Sequence, residues 1–191
     1  MHNGRLEAFS DGVIAILITI MVLEIKVPHG DSLHDLIPML PVLSSYLLSF
    51  VFLGIYWNNH HHMLQAARHV DGGILWANMH LLFWLSLVPT ATSWMGEHPF
   101  ASGPVAAYGA VLLAAGGAYF LLSRLLIARH GAESVLARAV GGDGKGLISL
   151  VMYAVAIVLA FFAPRVSCAL YVAVAVMWLV PDRRIERVLA E

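Results

Sequence analysis

The sequence predicts an all-α membrane protein with six transmembrane helices per chain, and three observations lead there. Of the 191 residues, 60% are apolar and 12% charged, against about 45–50% and 25% in an ordinary soluble domain. Mean hydropathy is +0.79. Apolar runs long enough to cross hydrocarbon recur from end to end, separated by short polar breaks rich in Gly and Pro. No stretch reads as a soluble domain, so residues 1–191 form one membrane domain.

Crossing ~30 Å of hydrocarbon takes about 20 helical residues. The first such run is "RLEAFSDGVIAILITIMVLEIKVP", Arg5 to Pro28, which predicts a helix over about 6–27. It lacks a basic leader and a small-residue cleavage site, so it reads as a retained span rather than a signal peptide. "VPHGDSLHDLIP" breaks the chain before a second helix over about 40–63, and "RHVDGG" separates that from a third over about 74–95. Inside the third, Pro89 interrupts the hydrogen-bond ladder, and Ser86 or Thr90 is placed to satisfy the freed carbonyl. "GEHPFASGP" then leads to a fourth helix over about 104–127, with Pro104 at its start. Its Gly109, Ala110, Ala114, Gly116 and Gly117 allow close helix approach in lipid, within the chain or between subunits. "GGDGKG" precedes a fifth helix over about 146–163, and a tight turn at "APRVS" precedes a last one over about 167–181. These last two are short for a span. No internal repeat is visible.

Lys and Arg sort by side. Arg5, Arg68, Arg124, Arg129, Arg138, Lys145, Arg183, Arg184 and Arg187 share one side, and only Lys26 and Arg165 lie on the other. A multi-pass protein of the cell membrane with both termini cytoplasmic is expected.

Three clusters carry polar groups into these spans. At ~100° per residue, Phe9, Gly12, Ile16, Thr19, Ile20, Leu23 and Val27 form one stripe of the first helix, within about 60° of Ile16. Ser10 and Asp11 fall on the opposite face. The charge there either joins a network with Arg5 or simply favours the positive end of the helix dipole. Thr19 alone would ordinarily bond its own backbone one turn back. In "YWNNHHHMLQAARH", His60, His61 and His62 point ~100° apart and cannot converge on one ion by themselves. They are better placed to hydrogen-bond Ser10, Asp11 or Arg5, or to sense pH. In "LWANMHLLFWLSLVPTATSWM", Asn78 and His80 add polar groups near the same end of the bundle, and Trp76, Trp84 and Trp94 offer interface anchors. Cys168 is solitary, in an apolar stretch. There is no TVGYG-type filter, voltage-sensing arginine array, Walker loop or nucleophile elbow. No charge block suggests nucleic acid, and nothing suggests an enzyme or a cofactor.

The first-helix stretch, with Arg5, then Phe9-Ser10-Asp11, then Thr19 and "VLEIKVP", closely resembles the signature of the transmembrane protein 175 family of potassium channels. "YWNNHHHML" and the Trp76-to-Met95 stretch resemble that family's second and third helices. The resemblance implies six helices per chain and a homotetramer in which the first helix of each subunit lines the pore. It implies apolar constriction in place of a carbonyl filter, with Ile16 as the main layer, Ile20 and Leu23 as further layers, and Thr19 as the selectivity layer. K+ would pass transiently near Ile16 and Thr19, with no fixed metal site. Arg5, Ser10, Asp11, His61, His62, Asn78 and His80 would hold the helix to its neighbours. Ala15 stands where some animal members have serine, which implies weaker selectivity. The competing expectation is a proton-coupled secondary transporter working through Asp11 and His60–His62, and a third is a membrane interaction protein without flux.

Overall fold

A backbone in hydrocarbon must satisfy its own N–H and C=O groups, and a single segment does so only as a helix. The computed structural model describes residues 4–28, 30–67, 69–131, 137 and 144–179, and among these there is no strand. The helices are α1 (Gly4–Leu23), α2 (Leu40–Gln65), α3 (Gly72–Ser86), α4 (Val88–Glu97), α5 (Ser102–His130), α6 (Gly144–Leu159) and α7 (Pro164–Leu179). Helices α3 and α4 are two halves of one span, Gly72–Glu97. That span, α1, α5 and the stretch Leu33–Gln65 are each long and apolar enough to cross a bilayer, while α6 and α7 are shorter apolar helices.

The starts and stops follow local chemistry. Prolines sit where a helix has no use for their missing N–H: Pro41 and Pro89 in the opening turns of α2 and α4, Pro164 as the first residue of α7. Asp71 caps α3, its Oδ1 accepting from the Ile74 amide at 3.0 Å. The break before α2 holds a 3-10 helix, Leu33–Met39, begun by a capping box in which Ser32 and Asp35 bond each other's backbone.

Several boundaries differ from those expected. The first helix stops at Leu23 rather than near 27, so Val27 lies beyond the helical stripe. The expected fifth helix stops at Leu159, and the turn before the last helix occupies 160–163 rather than 163–167, because Pro164 opens α7. The last helix is described to Leu179; Arg68, Arg138, Arg183, Arg184 and Arg187 of the charge tally lie outside the described residues. At the break around Leu87, Ser86 donates to the Phe83 carbonyl at 2.7 Å. Thr90 is exposed and forms no such bond among the described residues.

Packing centres on α5, which touches α3, α4, α6 and α7. One apolar core joins α1, α2, α3 and α5 through residues such as Ile14, Leu53, Leu81 and Leu122. A second joins α2, α4, α5, α6 and α7 around Phe52, Tyr108, Tyr153 and Tyr171. Gly109 shows why small residues line α5: a Cβ there would run into the Tyr171 hydroxyl and Ile157. That hydroxyl donates to the Val105 carbonyl at 3.0 Å, so α7 lies directly against the α5 backbone. Gly116 likewise faces Leu150 within the chain, whereas Gly117 has open space beside it. Helix α1 sits at the margin, packed on α2, α3 and α4 only along one side.

Candidate functional site: the first helix and its polar anchor

Helix α1 divides by face. Leu6, Ser10, Ile14, Leu17 and Met21 recur at intervals of four, four, three and four, and all five are buried. On the other side Phe9, Gly12, Ile16, Thr19, Ile20 and Leu23 are exposed in the single chain, Ile16 at 57% and Leu23 at 80%. The hydroxyl on this exposed stripe is oriented: Thr19 Oγ1 donates to the Ile16 carbonyl at 2.9 Å. Its hydrogen is thereby used on the backbone, and its oxygen lone pairs remain for a neighbour.

The buried face carries a polar chain across three helices. Asn78 Nδ2 donates to Ser10 Oγ at 2.9 Å, and Ser10 Oγ donates to the Leu6 carbonyl at 2.9 Å. Asn78 Oδ1 lies 2.7 Å from His60 Nε2. An amide oxygen only accepts, so His60 carries its proton on Nε2. Its Nδ1 is buried and has no partner. Ser10, His60 and Asn78 are all fully buried, so this chain joins α1 to α3 and α3 to α2 in a place where an unmade bond is costly.

A second group lies at the N-terminal end of α1. His61 Nδ1 is 2.9 Å from Glu7 Oε1, though without hydrogen-bond direction. Asp11 belongs to the same cluster: one ligand atom from each of Glu7, Asp11 and His61 lies within 4.8 Å of the others. Trp57, one turn before His61, stacks on its imidazole at 5.7 Å with 20° between the planes. Asp11 Oδ1 and His62 Nδ1 are buried without hydrogen-bond partners among the described residues.

Of the expected anchoring residues, the structure thus brings Ser10 and Asn78 into one network and Asp11 and His61 into another. Arg5 is exposed and makes no hydrogen bond or ion pair among the described residues. His80 is exposed too, accepting from Trp84 Nε1 at 2.9 Å within its own helix. Glu7 was not singled out from the sequence, and His60 was named only as one of three adjacent histidines. Glu7 was visible as an acid one turn from Asp11. That His60 is the histidine which reaches Asn78 depends on how α2 crosses α3, which no local pattern states. At the far end of α1, Lys26 Nζ meets Glu97 Oε1 of α4 at 3.2 Å, both exposed.

Residues 5–89 match the family model described as endosomal/lysosomal potassium channel TMEM175. A potassium channel of Chryseobacterium sp. (strain P1-3) is 51% identical over 191 residues, covering all of both chains. The chain belongs to the TMEM175 family. A potassium channel of Streptomyces collinus is 39% identical over 101 residues, 51% of this chain and 49% of that one. The crystal structure of a lysosomal potassium-selective channel TMEM175 homolog from Chamaesiphon minutus superposes with a TM-score of 0.79 at 28% identity. It matches 93% of this chain and 96% of its own. The segment matched by the TMEM175 model holds every residue of both polar networks, from Glu7 to Asn78, together with the exposed stripe of α1.

Proposed function

We propose that the protein is a potassium channel of the TMEM175 family that carries passive K+ flux through a pore lined by α1 from each of four copies. The observation that supports this reading most directly is the exposed row of Phe9, Ile16, Thr19, Ile20 and Leu23 on a helix whose Leu6, Ser10, Ile14, Leu17 and Met21 are buried by its own chain. Four such rows around an axis make successive apolar rings. An apolar constriction resists wetting, so an ion crosses only where its lost hydration is partly replaced. The ring at Ile16 is the main barrier in this reading, with Ile20 and Leu23 as further layers. Thr19 supplies replacement oxygen one turn away, since its hydroxyl hydrogen is already held by the Ile16 carbonyl. The Ser10–Asn78–His60 chain keeps the row in register by fixing the rotation of α1 about its own axis. The excess of Lys and Arg on one side orients both termini to the cytoplasm in the cell membrane.

The second reading is a proton-coupled transporter. The grouping of Glu7, Asp11 and His61 favours it, because it places three titratable groups together beside a membrane span. One experiment separates the two: purified protein in liposomes loaded with K+, with and without a pH gradient. K+ efflux that needs no pH gradient and rises in proportion to the K+ gradient is the expected result. Flux that saturates steeply or requires a proton gradient favours the transporter, and no flux removes both.

A further inference from the structure

We propose that Glu7, Asp11 and His61 form a binding site for a divalent transition-metal ion that bridges the N-terminal end of α1 to α2. The three side chains come from two helices, which is why the histidine run alone gave no convergent set. Metal–oxygen and metal–nitrogen bonds of about 2.0–2.2 Å place two ligands of one ion no more than about 4.4 Å apart. Here the three ligand atoms already lie within 4.8 Å of one another, so a small side-chain rotation closes the set. Trp57 stacks on the His61 ring, and His61 Nδ1 lies 2.9 Å from Glu7 Oε1.

The electrostatics ask for a cation. Glu7 and Asp11 stand one turn apart on the same helix, where like charges repel. Asp11 Oδ1 is sealed from solvent and has no hydrogen bond among the described residues. No Lys or Arg among the described residues pairs with either carboxylate, and Arg5, the nearest in sequence, is exposed. Among the described residues, the other titratable groups facing the cluster are His60, which feels both carboxylates, and His62, whose Nδ1 is also buried and has no hydrogen-bond partner there. One dication neutralises both carboxylates and leaves neutral His61 to donate its nitrogen lone pair. Two carboxylates with one imidazole suit Zn2+, Co2+, Ni2+ or Mn2+ rather than an alkali cation.

The binding claim stands apart from the channel reading; the consequence for flux rests on it, because an ion joining α1 to α2 would then restrain a pore wall. The test uses Co2+ as probe on the purified full-length chain, followed by its visible d–d absorption. Wild type should show a saturable band. Glu7→Gln and His61→Ala should each weaken it at least about tenfold, the range lost when even an outer-shell partner is removed, while His62→Ala should leave it unchanged. Equal affinity in all variants, or loss in His62→Ala but not in Glu7→Gln, overturns the site. So does a thiolate charge-transfer band in the wild type, a readout that needs no variant to fold and that would place the ion on Cys168. K+ efflux is measured in parallel without and with Co2+. Efflux that persists without any Co2+ band rejects the metal site alone, and a Co2+ band without efflux rejects the channel reading alone.

Discussion

Thr19 and Ile16 are joined by a hydrogen bond from the Thr19 side chain to the Ile16 backbone. With its hydrogen committed to the Ile16 carbonyl, the Thr19 oxygen presents lone pairs on the exposed stripe. Thr19→Val keeps the shape and removes that oxygen, so the K+ to Na+ permeability ratio should fall while the protein still folds and conducts; reversal potentials under bi-ionic conditions measure this. Ile16→Asn should raise conductance. If the polar ring lowers the barrier by about 1.4 kcal/mol, the gain is about tenfold, read in single-channel or liposome efflux records. Leu17→Asn, on the buried face, should instead cost folding, visible as lost yield and a lower melting temperature. A changed conductance in the Leu17 variant with none at Ile16 would show that the stripe is not the pore face. The division of α1 into faces was legible in the sequence because a 3.6-residue period fixes which side chains share a side. Which of three adjacent histidines meets Asn78 was not, since that depends on the relative rotation of α2 and α3.

At the level of helices, two contacts decide the packing. Asn78 serves both Ser10 and His60 inside the bundle, and Asn78→Leu leaves buried His60 unpaired and takes from Ser10 the donor it accepts, while Ser10 keeps its own bond to the Leu6 carbonyl. A loss of roughly 1–3 kcal/mol is expected, measured by thermal unfolding in detergent, with the greatest loosening in α1. Gly109→Ala pushes a methyl group into the Tyr171 hydroxyl and Ile157. It should lower the melting temperature, and Tyr171→Phe in the same chain should recover part of the loss by removing the oxygen that collides. Helix existence was readable from apolar run length and from Pro and Gly punctuation. Helix ends were less so: Ile25 and Val27 carry the apolar pattern past Leu23 between charged Glu24 and Lys26, yet the helix stops at Leu23, and Pro164 begins α7 where the sequence suggested a turn. In both places the local composition suits helix and turn almost equally, and tertiary contacts choose. The small residues of α5 were recognisable as a contact surface. Their use inside the chain at Gly109 and Gly116 became clear only once Tyr171 and Leu150 stood opposite them.

For the molecule as a whole, membrane class and family were legible early, because composition fixes the first and the Arg5-to-Asp11 signature with its continuation carries the second. Assembly was not, since one chain's periodicity does not count its copies. Four copies are expected in mild detergent by native mass measurement, and a cysteine placed at Leu23 should crosslink to its equivalents in neighbouring subunits. A monomeric particle that still conducts would overturn the shared pore. One arrangement within the protomer bears on how such a pore moves. The first segment is fastened twice to the same span: Ser10 of α1 to Asn78 in α3, and Lys26, three residues past the end of α1, to Glu97 in α4, with the break at Leu87 in between. This is a closed linkage with two joints, the break at Leu87 and the non-helical residues between Leu23 and Lys26. A change of angle at Leu87 is taken up by tilting α1, by the residues after Leu23 or by releasing a fastening, and the solvent-exposed Lys26–Glu97 pair is the weaker of the two. In the proposed pore, α1 would be steered from the break in its neighbour, and its C-terminal end would be the one that swings free first.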